Sequence, residues 1–271
     1  MLYHQICTFM NDLRVSALQF DMAWEDKEKN LQHTEKLLES LQGKTDIAVL
    51  PEMFTTGFSM NSRQLAEPMS GKTMQCLHRW ASTFDMAVAG SFIAEENGNF
   101  YNRGFFITPE NEAFFYDKRH LYRIGEEGKS FLPGNKPLIV PYRGWNIRLL
   151  ICYDLRFPVW ARNVDNGYDL LIYTANWPAS RAHVWETLLA ARAIENMAYV
   201  CGANRTGGVR KENIFEYAGH SQILDAKGKV LATTQEFKED ICTATLRLDE
   251  LQRFRKKFPA WRDADTFSIS D

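Results

Sequence analysis

A chain of 271 residues with 45% hydrophobic and 24% charged residues has the balance of a folded domain that buries a large core, which excludes a disordered chain. Its 32 basic and 34 acidic residues give a net charge of -2, without the clustered Lys and Arg that nucleic acid or an anionic membrane requires. No segment approaches 18 uninterrupted apolar residues, and the start lacks the basic and apolar regions of a signal peptide, so no membrane partner is expected.

In chain order, LRVSALQF at 13–20 alternates as a strand does, and residues 1–12 before it read as an N-terminal extension. Leu31, Leu38 and Leu41 then recur among charges at helical spacing. DIAVLPE at 46–52 is a short apolar run that delivers Glu52 at its carboxyl end, where α/β proteins place chemistry. From Gly71 a helix follows, with Met74, Leu77 and Phe84 as its inner stripe. Residues 87–120 give three strands joined by Asn, Gly and Pro turns, a meander whose last strand ends in Lys118. IRLLICYD and YDLLIYTAN are further buried strands, and HVWETLLAARAIENMA is a helix apolar around most of its circumference, as a buried or subunit-contact helix would be. A strand YVCGANR, a turn-linked pair SQILDAKGKVLATT, a strand ICTATLRL and a helix LDELQRFRKKF complete the series. Arg253, Arg255, Lys256 and Lys257 on that helix read as its solvated face. No repeat or linker marks a boundary, so residues 13–271 are expected to form a single domain of two sheets flanked by helices.

Several chemistries are disfavoured. Gly71-Lys72-Thr73 and Gly128-Lys129-Ser130 imitate the end of a phosphate loop, but Ala66 and Arg123 stand where its first glycine belongs. The six histidines show no HExxH or other ligand spacing, and the five cysteines form no CxxC pair, so neither metal nor disulfide is expected and a reducing cytoplasm fits. Three polar residues remain, each where an apolar strand stops: Glu52, Lys118 and Cys152. Singly they read as a rim carboxylate, a partner of Asp117 and a packed thiol. Together they supply a base, an oxyanion-stabilising cation and a nucleophile, the set that amide hydrolysis through a thioester requires.

LPEMF at Glu52, DKRHLY at Lys118 and CYDLRFP at Cys152 also resemble the nitrilase superfamily of carbon-nitrogen hydrolases, in the same order and over nearly the whole chain. NWP at Asn176 and ARAIENMAYVCGANR at 191–205 resemble its ω-amidase branch, enzymes that hydrolyse the terminal amide of 2-oxo dicarboxylic acid monoamides. The resemblance implies a four-layer α-β-β-α sandwich, commonly paired as a homodimer, that needs no cofactor. It implies Glu52 as general base, Lys118 as oxyanion cation, Cys152 as nucleophile, and a second orienting glutamate before Pro-Gly that fits Glu127 better than Glu126. The backbone N–H of Tyr153 would share the oxyanion with Lys118. One departure is Val159-Trp160 after the RFP of the cysteine motif, where many relatives have Glu; it bears on the branch and on packing, not on the reaction.

A substrate carboxylate calls for a guanidinium, since Arg presents a planar fork to both oxygens. Arg181, beyond the NWP strand end, is the first candidate and Arg205 the second, with Trp177 and Phe157 as pocket walls. Arg156 reads as structural, and Arg192 with Glu195 as an ion pair on a helix. The rival expectations are a nitrilase, an N-carbamoyl hydrolase or another amidase of the superfamily, acyl transfer from the same thioester, and a noncatalytic binding domain.

Overall fold

The computed structural model describes residues 12–209 and 215–269. The first sheet is built from β1 (Asp12–Gln19), β2 (Ile47–Val49), β3 (Glu67–Pro68), β4 (Ala87–Glu96), β5 (Asn99–Ile107) and β6 (Ala113–Asp117). The second takes β7 (Ile139–Tyr142), β8 (Trp145–Ile151), β9 (Leu170–Ala175) and β10 (Tyr199–Asn204). A hairpin of β11 (Thr206–Val209) and β12 (Phe215–Ala218) follows; β13 (Gln222–Leu224) and β14 (Val230–Thr233) return to the second sheet, and β15 (Asp240–Arg247) crosses to the first. The order is β15-β1-β2-β4-β5-β6 in one sheet, with β3 beside β4, and β14-β13-β10-β9-β8-β7 in the other.

Alternation along the strands makes the four layers, because successive side chains point to opposite faces. Leu13, Val15 and Ala17 of β1 and Ile47 and Val49 of β2 meet Ile147, Leu149, Leu170, Ile172 and Cys201 in one buried cluster between the sheets. Ala48, Leu50 and Val88 point outward instead, onto Leu31 and Leu38 of helix Lys27–Ser40 and Leu77 and Trp80 of helix Lys72–Phe84. Leu150, Leu171, Tyr173 and Val200 do the same on the other sheet, against Trp185 and Leu189 of helix Ala182–Asn196. The expected four-layer sandwich is therefore the fold, with the helical stripes on Leu31, Leu38, Met74, Leu77 and Phe84 all buried.

Two local expectations differ. Helix Ala182–Asn196 covers its sheet with one face only; Ile194 on the other is 57% exposed. The basic run on helix Leu248–Lys257 is not wholly solvated: Arg255 is buried, bonded to Asp169 at 2.7 Å and to the carbonyls of Met197 and Tyr168. A guanidinium has enough donors to close a gap between helix and sheet that a lysine could not. No helix among the described residues is long and apolar enough to cross a membrane.

The parallel registers matter most for the site. β1, β2 and β4 run parallel, as do β8, β9 and β10. The C-terminal ends of β2, β8 and β9 thus release Glu52, Cys152 and Asn176, and the structure brings all three into one cleft. In a parallel sheet such ends share an edge, and the turns that leave them converge.

Candidate active site

Glu52 is fully buried at the end of the LPE turn. A carboxylate there is tolerable only if its oxygens are bonded, and they are. Asn102 Nδ2 donates to Oε1 at 2.8 Å, and the backbone N–H of Asn176 donates to Oε2 at 2.9 Å. Ser91 braces the same turn from β4: its hydroxyl accepts from the Met53 N–H and donates to Asn102 Oδ1, both at 2.9 Å.

Lys118, just past β6 and 1% exposed, places Nζ 2.8 Å from Glu52 Oε1 and 3.0 Å from both oxygens of Glu127. Asp117 is not its partner; Asp117 pairs with Arg103 at 2.7 Å, because adjacent residues at a strand end point to opposite faces. Of the two adjacent glutamates, Glu127 is the one inside, also accepting from Asn102 Nδ2 at 3.1 Å and from the Tyr122 N–H at 2.6 Å. Glu126 faces out and pairs with Lys129. The result is one ammonium between two buried carboxylates. Burial would drive the Lys118 proton off, but Glu127 and Glu52 outweigh it and hold the ammonium above its ordinary value. Glu127 is raised, by burial first and by the Glu52 charge, against the pull of Lys118.

Cys152 takes a positive φ of 42° where β8 turns into the short helix Cys152–Arg156. A non-glycine residue in the left-handed region costs energy and persists only where surrounding bonds enforce it. Asp154 does so here. Buried two residues on, it accepts from the Ile151 N–H at 3.0 Å, the Tyr116 hydroxyl at 2.8 Å and the His120 N–H at 3.0 Å. The same aspartate therefore ties the cysteine turn to the loop after Lys118. Burial and then Glu52 push the Cys152 thiol well up, while Lys118 and the Asn176 backbone N–H pull it down. A thiol so placed stays protonated at rest and needs a base at the moment of attack.

Tyr153 follows the cysteine with its ring edge-on to Tyr122 and Phe157, and Phe157 stacks on His120 at 3.8 Å. Arg181 is half-buried; its Nη2 donates to the Tyr122 hydroxyl at 3.4 Å, and its carbonyl accepts from Trp177 Nε1 at 2.9 Å. Arg156, half-buried, lies 4.9 Å from the Trp177 ring centroid, and Arg192 bonds Glu195 at 2.8 Å, the ion pair expected on that helix. Arg205 sits differently from a substrate-binding side chain. It is fully buried, bonded to Asp21 at 2.6 Å and stacked on Tyr217 at 4.7 Å. It holds the wall, whereas Arg181 is half-open.

Asn102, Ser91, Asp154 and Tyr217 were not singled out from the sequence. Asn102 carried a signal, an amide in the middle of the aromatic strand FYNRGFF, where burying a polar group needs a reason. Among the described residues no group of three or more His, Cys, Asp or Glu side chains is arranged to hold a metal ion.

The family model for carbon-nitrogen hydrolases matches residues 14–256. The chain belongs to that family. As a carbon-nitrogen hydrolase it is an enzyme acting on carbon-nitrogen bonds other than peptide bonds. It is 44% identical to the omega-amidase YafV of Yersinia enterocolitica, over 96% of this chain and 100% of that one. It is 34% identical to a 2-oxoglutaramate amidase of Bacillus subtilis, over 92% and 96%. Among solved structures it is similar to XC1258 of Xanthomonas campestris, a CN-hydrolase superfamily protein with an arsenic adduct in its active site. That match has a TM-score of 0.93 and 38% identity, covering 96% of this chain and all of the other. This carbon-nitrogen hydrolase thus has its buried Glu52, Lys118 and Glu127 charges and its partly open cysteine on a fold shared along the full chain.

Proposed function

We propose that this carbon-nitrogen hydrolase is an ω-amidase, cleaving the terminal amide of small 2-oxo dicarboxylate monoamides such as 2-oxoglutaramate and 2-oxosuccinamate through a Cys152 thioester. The observation that carries the chemistry is Lys118 Nζ bonded to both Glu52 and Glu127 beside a thiol on a strained strand end. The likeness to omega-amidase YafV and to 2-oxoglutaramate amidases over most of the chain supports the substrate class.

Glu52 takes the thiol proton as Cys152 Sγ attacks the amide carbon, and the carbonyl π electrons move onto oxygen. The Lys118 ammonium and the Tyr153 backbone N–H stabilise that oxyanion, worth about a hundredfold or more per donor in comparable sites. Glu52 returns the proton to nitrogen, the carbon-nitrogen bond breaks and ammonia leaves. Water, giving its proton to Glu52, then attacks the thioester; the acid departs and the thiol is re-formed. Glu127 orients Lys118, and Arg181 pairs with the substrate carboxylate beside Trp177 and Phe157. Residues 13–271 act as one domain, and the working enzyme is a cytoplasmic homodimer in this reading.

The test is ammonia release from 2-oxoglutaramate, 2-oxosuccinamate, glutaramate, an aliphatic nitrile and an N-carbamoyl amine, with Cys152→Ala protein as blank. Release from the 2-oxo monoamides, abolished in the blank, is expected. Preference for the nitrile or the N-carbamoyl amine would replace this reading with another activity of the superfamily.

A further inference from the structure

The hairpin that follows β10 packs beside the site. β10 lies beside β9, Asn204 opposite Ala175, so the chain leaves both strands at the edge where Asn176 bonds Glu52. β11 starts two residues later and pairs with β12, Gly207 opposite Tyr217. β12 in turn packs on the turn Ala179–Arg181. The tyrosine is thereby set between the Arg205 wall and the Arg181 turn.

Its ring is fixed. Tyr217 is 4% exposed, its carbonyl accepts from Thr206 Oγ1 at 3.2 Å, and the Arg205 guanidinium covers one face at 4.7 Å. Arg205 is itself anchored on Asp21 and on the Met22 carbonyl. The hydroxyl, by contrast, has no hydrogen-bond partner among the described residues. The oxygen is not among the enclosed side-chain atoms left without a partner, as that of Tyr173 is, and a phenol at the wall of a site is a donor that a ligand can take up.

The surroundings say what it faces. Burial, then the Cys152 and Glu52 charges, push the Tyr217 phenol up to about 12, while Arg205 and Arg181 pull it down. The hydroxyl therefore lies within electrostatic range of the nucleophile, the base and both arginines, and it stays a donor through the neutral range.

We propose that Tyr217 is a specificity-determining residue, its hydroxyl donating to the 2-oxo oxygen of the substrate while Arg181 takes the adjacent carboxylate. This rests on the ω-amidase reading above. A 2-oxo acid presents those acceptors side by side, whereas glutaramate carries a methylene in place of the carbonyl and offers the hydroxyl nothing. A site built around a hydrogen bond disfavours the analogue that lacks the group, because its own donor is left unpaired.

The experiment compares kcat/KM for 2-oxoglutaramate and glutaramate in the wild type and in Tyr217→Phe, which keeps the ring under Arg205. The substitution is expected to lower kcat/KM for 2-oxoglutaramate about tenfold, mostly through KM, and to leave glutaramate within about twofold, since one such bond contributes roughly 1.4 kcal/mol. An unchanged ratio overturns the assignment, as does an equal loss on both substrates, which would put the hydroxyl at the reacting amide. A wild type that hydrolyses glutaramate as readily as 2-oxoglutaramate overturns it too, while leaving amidase activity standing. A wild type silent on every monoamide sinks the ω-amidase reading and this proposal together. Equal thermal midpoints for the two proteins separate a binding effect from a folding one.

Discussion

Asn176 grips Glu52 at both ends: its backbone N–H donates to the carboxylate at 2.9 Å, and its side-chain Nδ2 donates to the Glu52 carbonyl at 2.6 Å. The proposed base is thus fixed to the sheet that carries the proposed nucleophile. Asn176→Ala keeps the backbone bond and loses the side-chain one. It should lower kcat by about tenfold or more with KM little changed, since small misplacements of a base are expensive. A kcat within twofold of wild type would show that the grip has no role in turnover.

The Glu52 charge opposes thiolate formation at Cys152. Glu52→Gln removes that charge, so the thiol should titrate at lower pH, even as hydrolysis stops for want of a base. Iodoacetamide alkylation of Cys152 followed against pH reads the first effect, and ammonia release reads the second. Alkylation that shifts to higher pH in Glu52→Gln would contradict this electrostatic account.

Lys118 separates two buried carboxylates, and Lys118→Met would leave them facing each other. Loss of one member of a buried ion cluster commonly costs ~3–5 kcal/mol. The expected outcome is a large drop in the denaturant midpoint together with loss of activity, partly relieved at low pH or by adding Glu127→Gln. A Lys118→Met protein as stable as wild type at neutral pH would mean that Lys118 does not neutralise the pair.

Glu127 also sets a pH dependence. Its folded value lies above its unfolded one, so between the two the folded protein holds more proton than the unfolded chain. Its contribution to stability is therefore fully present below the unfolded value and is lost as pH rises through the folded value. In Glu127→Gln this part of the slope should vanish, so the wild-type minus variant difference in unfolding free energy should decline with rising pH from about 4.5. A difference that grows with pH would reverse the sign and refute the assignment.

The two arginines should separate in kind. Arg181→Ala should raise KM for 2-oxo monoamides about tenfold or more while leaving the thermal midpoint close to wild type, because the side chain is half-open and bonded only at 3.4 Å to Tyr122. Arg205→Met should chiefly destabilise, since it leaves the buried Met22 and Thr206 carbonyls without their donor and uncovers Tyr217. Opposite results, a melting defect in Arg181→Ala and a pure KM defect in Arg205→Met, would exchange their roles.

Much of this could be read along the chain. Apolar runs ending in Glu52, Lys118 and Cys152 marked the strand ends, and period-two and helical spacing located the strands and helices that make the layers. Charge pairing was less legible. Asp117 beside Lys118 suggested a pair, yet their side chains leave the strand end in different directions, and Lys118 instead meets Glu52 and Glu127 from 66 and 9 residues away. Arg255 looked solvated because sequence periodicity does not report that Asp169 and two carbonyls wait beneath that helix.

The sequence by itself determined the element types, the alternation that sorts side chains into core and surface, and the three candidate reactive groups at strand ends, since these depend on residues near one another in the chain. Only the tertiary structure decided which charges neutralise each other, that Asp154 enforces the strained Cys152 turn, and that Arg205 braces Tyr217 while Arg181 stays half-open. Those outcomes depend on strand registers and sheet packing between distant segments, where a shift of one residue would turn each side chain to the opposite face.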